Sequence, residues 1–174
     1  MEIKDLAAPC GETIIPGLTQ VIYLVCSCDI DVFPPYLATT GIGDKITLNG
    51  NIVLKAGAKF GKVEITSSTG EITHTQVGVR GSKNYTNKLD FECVKSIASD
   101  EWFDIHANGC FVAIVTQKDG QMRVLGTDKV PAFFESAEGK TGKANADAAN
   151  WVGSIMDETG KVAPYYTGTI DLTA

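Results

Sequence analysis

Five cysteines, Cys10, Cys26, Cys28, Cys93 and Cys110, are the chain's most reactive side chains. An odd count, without the dense spacing of a small secreted scaffold, points to reduced thiols in a cytosolic setting. Cys26 and Cys28 stand one residue apart in a run that reads as strand. A strand would aim both at one face with about 7 Å between their backbones, the outer limit for a disulfide. A metal site would need further ligands, and the only imidazoles are His74 and His106. The pair therefore reads as small buried thiols, free like the other three cysteines. Asp29 and Asp31 form a D-x-D pair able to hold a divalent cation, yet without further oxygen ligands they read as solvated carboxylates at a strand exit.

Other spacings that suggest chemistry fail on inspection. Gly139-Lys140-Thr141-Gly142-Lys143 resembles a phosphate-cradling loop, but two residues rather than four separate its glycines and Ala144 follows the lysine. The surrounding stretch 135–150, ESAEGKTGKANADAAN, is small and polar and reads as a mobile surface loop. Gly41 and Gly43 do not extend to a dinucleotide fingerprint, since Ile46 takes the third position and no helix follows. His106 has no triad partner that the sequence places beside it, and seryl or cysteinyl nucleophile signatures are missing. The expectation is a protein that is not an enzyme, with no catalytic residues, no metal and no cofactor.

The chain has 174 residues, 44% hydrophobic and 21% charged, the composition of an ordinary globular domain. Its net charge of −6 is wrong for gripping phosphates and would repel DNA. Met1-Glu2-Ile3-Lys4-Asp5 lacks the basic flank and apolar run of an export signal. No apolar stretch approaches the ~20 residues of a membrane-spanning helix, so no membrane partner is expected.

The elements that would position these residues are mostly strands. Asp119-Gly120 sits between two apolar runs, 111–115 and 122–125, and predicts a hairpin with a two-residue turn. Closed there, it pairs Val115 with Val124 and Ile114 with Leu125; Phe111, Ala113, Val115, Val124 and Met122 share one face, and Val112, Ile114 and Leu125 the other. Leu18 to Ile30 reads as one long strand, apolar on both sides, with Val21, Tyr23 and Val25 opposed to Ile22, Leu24 and Cys26. Strand character recurs at 47–54, 60–66, 71–79, 84–94, 151–156 and 165–172. In 84–94, Tyr85, Leu89, Phe91 and Cys93 fall on one face and Thr86, Lys88, Asp90 and Glu92 on the other. One short helix is expected between Ser96 and Ala107, capped by Ser96 or Ser99, with Trp102 and Ile105 on its apolar face. Residues 1–17 carry Pro9, Gly11 and Pro16 and read as an extended arm. No linker divides residues 1–174, so one β domain is expected, a sandwich or barrel.

The order of these elements, with the runs SKNYTNKLDFECVK, NGCFVAIVTQKDGQMRVLG and the ending APYYTGTIDL, resembles the major tail tube proteins of tailed bacteriophages, in particular those of phages and prophages of Bacteroides-type bacteria. That resemblance implies a tail-tube-like β-sandwich flanked by a helix. It also implies a virion protein that assembles in the host cytoplasm into hexameric rings and stacks them into a conduit for DNA ejection. Its partners would be copies of itself and other tail proteins such as the tape measure and terminator, with DNA only passing through the lumen.

Two irregular segments carry apolar residues that a lone subunit would leave wet, the arm and the loop 32–44. Leu6, Ile14, Ile15, Phe33, Tyr36 and Leu37 are therefore the candidate inter-subunit contacts. The alternative is a monomeric carbohydrate- or ligand-binding β-sandwich that stacks sugars on Trp151, Tyr165 and Tyr166. Adjacent tyrosines on a strand face opposite ways, which counts against it.

Overall fold

The computed structural model describes residues 15–39, 41, 43–144, 146–170 and 172. Twelve strands and one helix follow in order: β1 (Leu18–Cys26), β2 (Ile30–Val32), β3 (Thr47–Leu48), β4 (Val53–Leu54), β5 (Gly61–Glu64), β6 (Glu71–Val77), β7 (Asn84–Val94), α1 (Ile97–His106), β8 (Phe111–Gln117), β9 (Met122–Leu125), β10 (Phe133–Lys140), β11 (Asn150–Asp157) and β12 (Tyr165–Tyr166). They form a six-stranded sheet in the order β3-β12-β9-β8-β1-β5, a four-stranded sheet β10-β11-β7-β6, and a small β2-β4 pair. The fold is mainly β with one helix, sandwich-like, and among the described residues no sheet closes into a barrel.

The six-stranded sheet is buried on both faces because its central strands carry unbroken apolar runs, 21–26 in β1 and 111–115 in β8, that leave no polar face. Ile22, Leu24, Ala113, Val115 and Leu125 meet Leu89, Phe91 and Ile155 of the four-stranded sheet in the main core. Val25, Val112, Ile114 and Val124 face a second core covered by Ile30, Ile52, Phe60 and Tyr166. Burial of this kind, at roughly 25 cal/mol per Å², is the main term holding the sheets together. Helix α1 packs onto the main core through Phe103, with Trp102 partly buried beside it. Its Phe103 is buried and stacks on Trp151 at 4.4 Å between centroids. Ser96 caps it, accepting from Ser99 N at 3.1 Å while Ser99 Oγ accepts from Ser96 N at 2.7 Å.

The hairpin is central, but its register is one residue off the expected one. Ile114 pairs with Val124 and Ala113 with Leu125, so Val124 and Met122 join Val112 and Ile114 while Leu125 joins Ala113. The cause is a three-residue loop, Lys118 to Gly120, closed by Gln117 N on Gln121 O at 2.7 Å. Gly120 there takes φ +88°, and Asp119 Oδ1 accepts from Gln121 N at 2.9 Å. Asp-Gly suits this longer loop as well as the two-residue turn.

Other segments also differ. The run 18–30 is not one strand, because β1 stops at Cys26 and a 3-10 turn, Ser27–Asp29, intervenes. Strand character in 47–54 is split by a turn into β3 and β4, and 165–172 supplies only Tyr165–Tyr166. Residues 135–140, read as loop, are strand β10. Its inward positions are small because Trp151 lies beneath; a Cβ on Gly139 would sit 2.8 Å from that ring. On α1 the buried residue is Phe103, whereas Ile105 is 67% exposed.

Candidate functional site

Alternation along β6, β7 and β11 gives the four-stranded sheet an inner apolar face and an outer polar one. Pairings Glu71↔Asp90, Thr73↔Lys88, Ser154↔Asp90, Val152↔Glu92 and Glu138↔Val152 place these residues together on the outside. Its acids are Glu71, Asp90, Glu92, Glu135 and Glu138, against Lys88 and Lys140. Lys88 Nζ lies 3.1 Å from Glu135 and 3.4 Å from Asp90, and its pKa is raised first by the bond to Glu135. These pairs are exposed and contribute little to stability. The surplus of carboxylates leaves the face acidic and wet.

Both lateral edges of this sheet are free of a partner strand among the described residues: β6 on one side and β10 on the other. Exposed apolar side chains sit at one end of each, Val77 and Val79 by β6 and Val130 and Phe133 by β10. Every pairing within the sheet is antiparallel, so β6 and β10 run in opposite directions. A copy's β10 laid beside β6 would continue the alternation.

Beneath the sheet lies a buried polar knot that the strand pattern did not announce. Asn87 Nδ2 donates to Asp157 Oδ1 at 2.7 Å and Lys161 O at 2.8 Å, while its Oδ1 accepts from Ala163 N at 3.0 Å and His74 Nδ1 at 2.8 Å. Asp157 further accepts from Gly126 N at 2.9 Å and from Thr159 N and Oγ1. Asn87 and Asp157 are both fully buried. Burial lowers the His74 pKa from its ordinary value, and the positive charge of Arg123 adds to this. The only hint in the sequence was phase: Asn87 falls on the same face of β7 as Leu89 and Phe91.

The contact residues named from sequence are placed unevenly. Leu6 and Ile14 lie outside the described residues. Ile15 is 49% exposed and available. Phe33 and Tyr36 pack partly against their own subunit's second core, Tyr36 bridging to Leu48 with Lys161 Nζ 4.1 Å above its ring. Leu37 is half-buried, its N–H on Thr47 O.

Trp151, Tyr165 and Tyr166 are not gathered into an exposed platform. Trp151 lies in the four-stranded sheet under Phe103, Tyr166 is buried, and Tyr165 is covered by the Arg123 guanidinium at 3.8 Å. His106 donates from Nδ1 to Trp102 O at 2.7 Å, a capping role.

The expectation of five free thiols is overturned: Cys26 and Cys28 are joined in a disulfide. The 3-10 turn draws their Cα atoms to 5.2 Å, inside the range a bridge requires, where an extended strand would not. Cys93 is free and buried, its pKa raised by that burial, and Cys110 is free and exposed. Cys10 lies outside the described residues.

No family model matches the chain, and no curated protein or solved structure is detectably similar to it. Among the described residues no helix is long and apolar enough to cross a membrane.

Proposed function

We propose that the chain is a structural subunit that closes with copies of itself into rings and stacks them into a tube, as the tail-tube resemblance implies. In this reading the subunit is a virion protein assembled in the host cytoplasm, and DNA passes through the bore without being held. The observation that carries it is the four-stranded sheet whose two edges run in opposite directions and lack a partner strand among the described residues, together with its acidic outer face. Joining β6 of one copy to β10 of the next is a head-to-tail contact, which closes into a ring when the rotation per copy allows. Six copies of four strands would give a circumference of roughly 115 Å at ~4.8 Å per strand, and a bore of roughly 37 Å before side chains. The carboxylates facing that bore would repel a passing phosphate backbone.

Charging both edges tests the reading. Val77→Lys with Phe133→Lys places like charges on the two surfaces that would meet, at positions exposed in the subunit. The double variant is expected to melt with the parent and to remain monomeric by light scattering under conditions where the parent assembles. Assembly equal to the parent's would remove the edges from the interface.

A further inference from the structure

The 3-10 turn after β1 brings together three groups that the sequence alone leaves apart. One ligand atom each from Cys26, Cys28 and Asp29 lies within 4.8 Å of the others. Cys28 is exposed, and Cys26 and Asp29 are half-buried, so a solute reaches them directly. Backbone bonds fix the turn from both sides: Ser27 N donates to Cys110 O and Lys55 N to Asp29 O, each at 2.9 Å. The turn is therefore held by its neighbours, and a disulfide spanning one residue adds little chain-entropy stabilisation to it.

We propose that Cys26, Cys28 and Asp29 form a redox-gated site for a thiophilic divalent cation of the Zn2+ class. In the disulfide form the two sulfurs are bonded to each other and offer no thiolate. A dithiol reductant supplies two electrons and two protons, leaves as its own disulfide, and converts the pair to two thiols. The cation then takes both sulfurs as thiolates with the Asp29 carboxylate, and two protons go to solvent. Two thiolates and a carboxylate around a dication sum to one negative charge. Lys55 balances it, its Nζ already donating to Cys28 O at 2.6 Å. A solvent water completes the four-coordinate shell, which an exposed turn permits. Soft sulfur donors select Zn2+ or Cd2+ over Mg2+ and Ca2+.

The test is a Cd2+ titration of the full chain, reduced with a phosphine that is then removed under inert gas, following the ultraviolet thiolate-to-metal absorption. One Cd2+ per chain is expected, with the band present in the reduced parent and in Cys110→Ser but missing from the disulfide form and from C26S/C28S. Asp29→Asn should weaken binding about tenfold or more, the least that losing a ligand costs. As a readout that needs no variant, bound Cd2+ should protect Cys26 and Cys28 from alkylation while Cys110 stays reactive. Circular dichroism confirms that each species is folded. A folded, reduced parent without the band, a band that survives in C26S/C28S, or unprotected Cys26 and Cys28 at saturation would each overturn the site.

Discussion

Asn87 uses all four of its hydrogen-bonding positions in the core, tying β6 and the end of β11 to the segment 161–163 that leads to β12. Asn87→Ala would leave Ala163 N and Lys161 O without that partner and remove one donor from buried Asp157. The expected cost is about 2–4 kcal/mol in urea unfolding, and a loss under about 0.5 kcal/mol would show the knot to be incidental. His74 gives the same region a pH dependence. Its folded-state pKa lies below the ordinary 6.5, so the unfolded chain binds the proton more readily. Its contribution is therefore unaffected above about pH 6.5 and turns destabilising as pH falls through that value. His74→Gln should flatten the stability profile in this window, and an unchanged slope would assign the effect elsewhere. Asn87 illustrates what strand reading misses: alternation assigns polar residues outward, and only a network supplied by distant loops lets one face inward. Cys26 and Cys28 were misread for a related reason, since the sequence gives no sign that β1 ends in a 3-10 turn.

At the scale of elements, the β8-β9 hairpin is the most buried unit, with Val112, Ala113, Ile114, Val115, Val124 and Leu125 all fully buried. Val115→Asp would set an unpaired charge between the sheets and is expected to cost about 3–5 kcal/mol. A soluble variant melting within a degree or two of the parent would remove the hairpin from the centre of the fold. This element was legible because its apolar runs flank a strong turn signal, and α1 because Ser96 begins it. The hairpin's register was not, since Asp-Gly serves turns of two lengths and one residue of slip exchanges the faces. Strand β10 was missed because an edge strand buries little: most of its residues are exposed, and Gly139 faces Trp151 and Ala137 pairs with Gly153 where large side chains would announce a strand. Edge strands are the elements that function uses in this account, so they are also the ones that composition hides.

At the scale of the whole molecule, the proposed assembly rests on the two sheet edges that lack a partner strand among the described residues and on the acidic outer face. In the proposed assembly, edge-to-edge pairing would satisfy backbone groups that an isolated subunit leaves to water, and it would bury Val77, Val79, Val130 and Phe133, exposed in the single subunit. A net charge of −6 opposes this, and salt screens it, so association should strengthen as ionic strength rises. The direct test is light scattering with negative-stain microscopy across rising protein and salt concentration. The account predicts rings or tubes that grow with both, while a strictly monomeric species at the highest concentration and salt would contradict it.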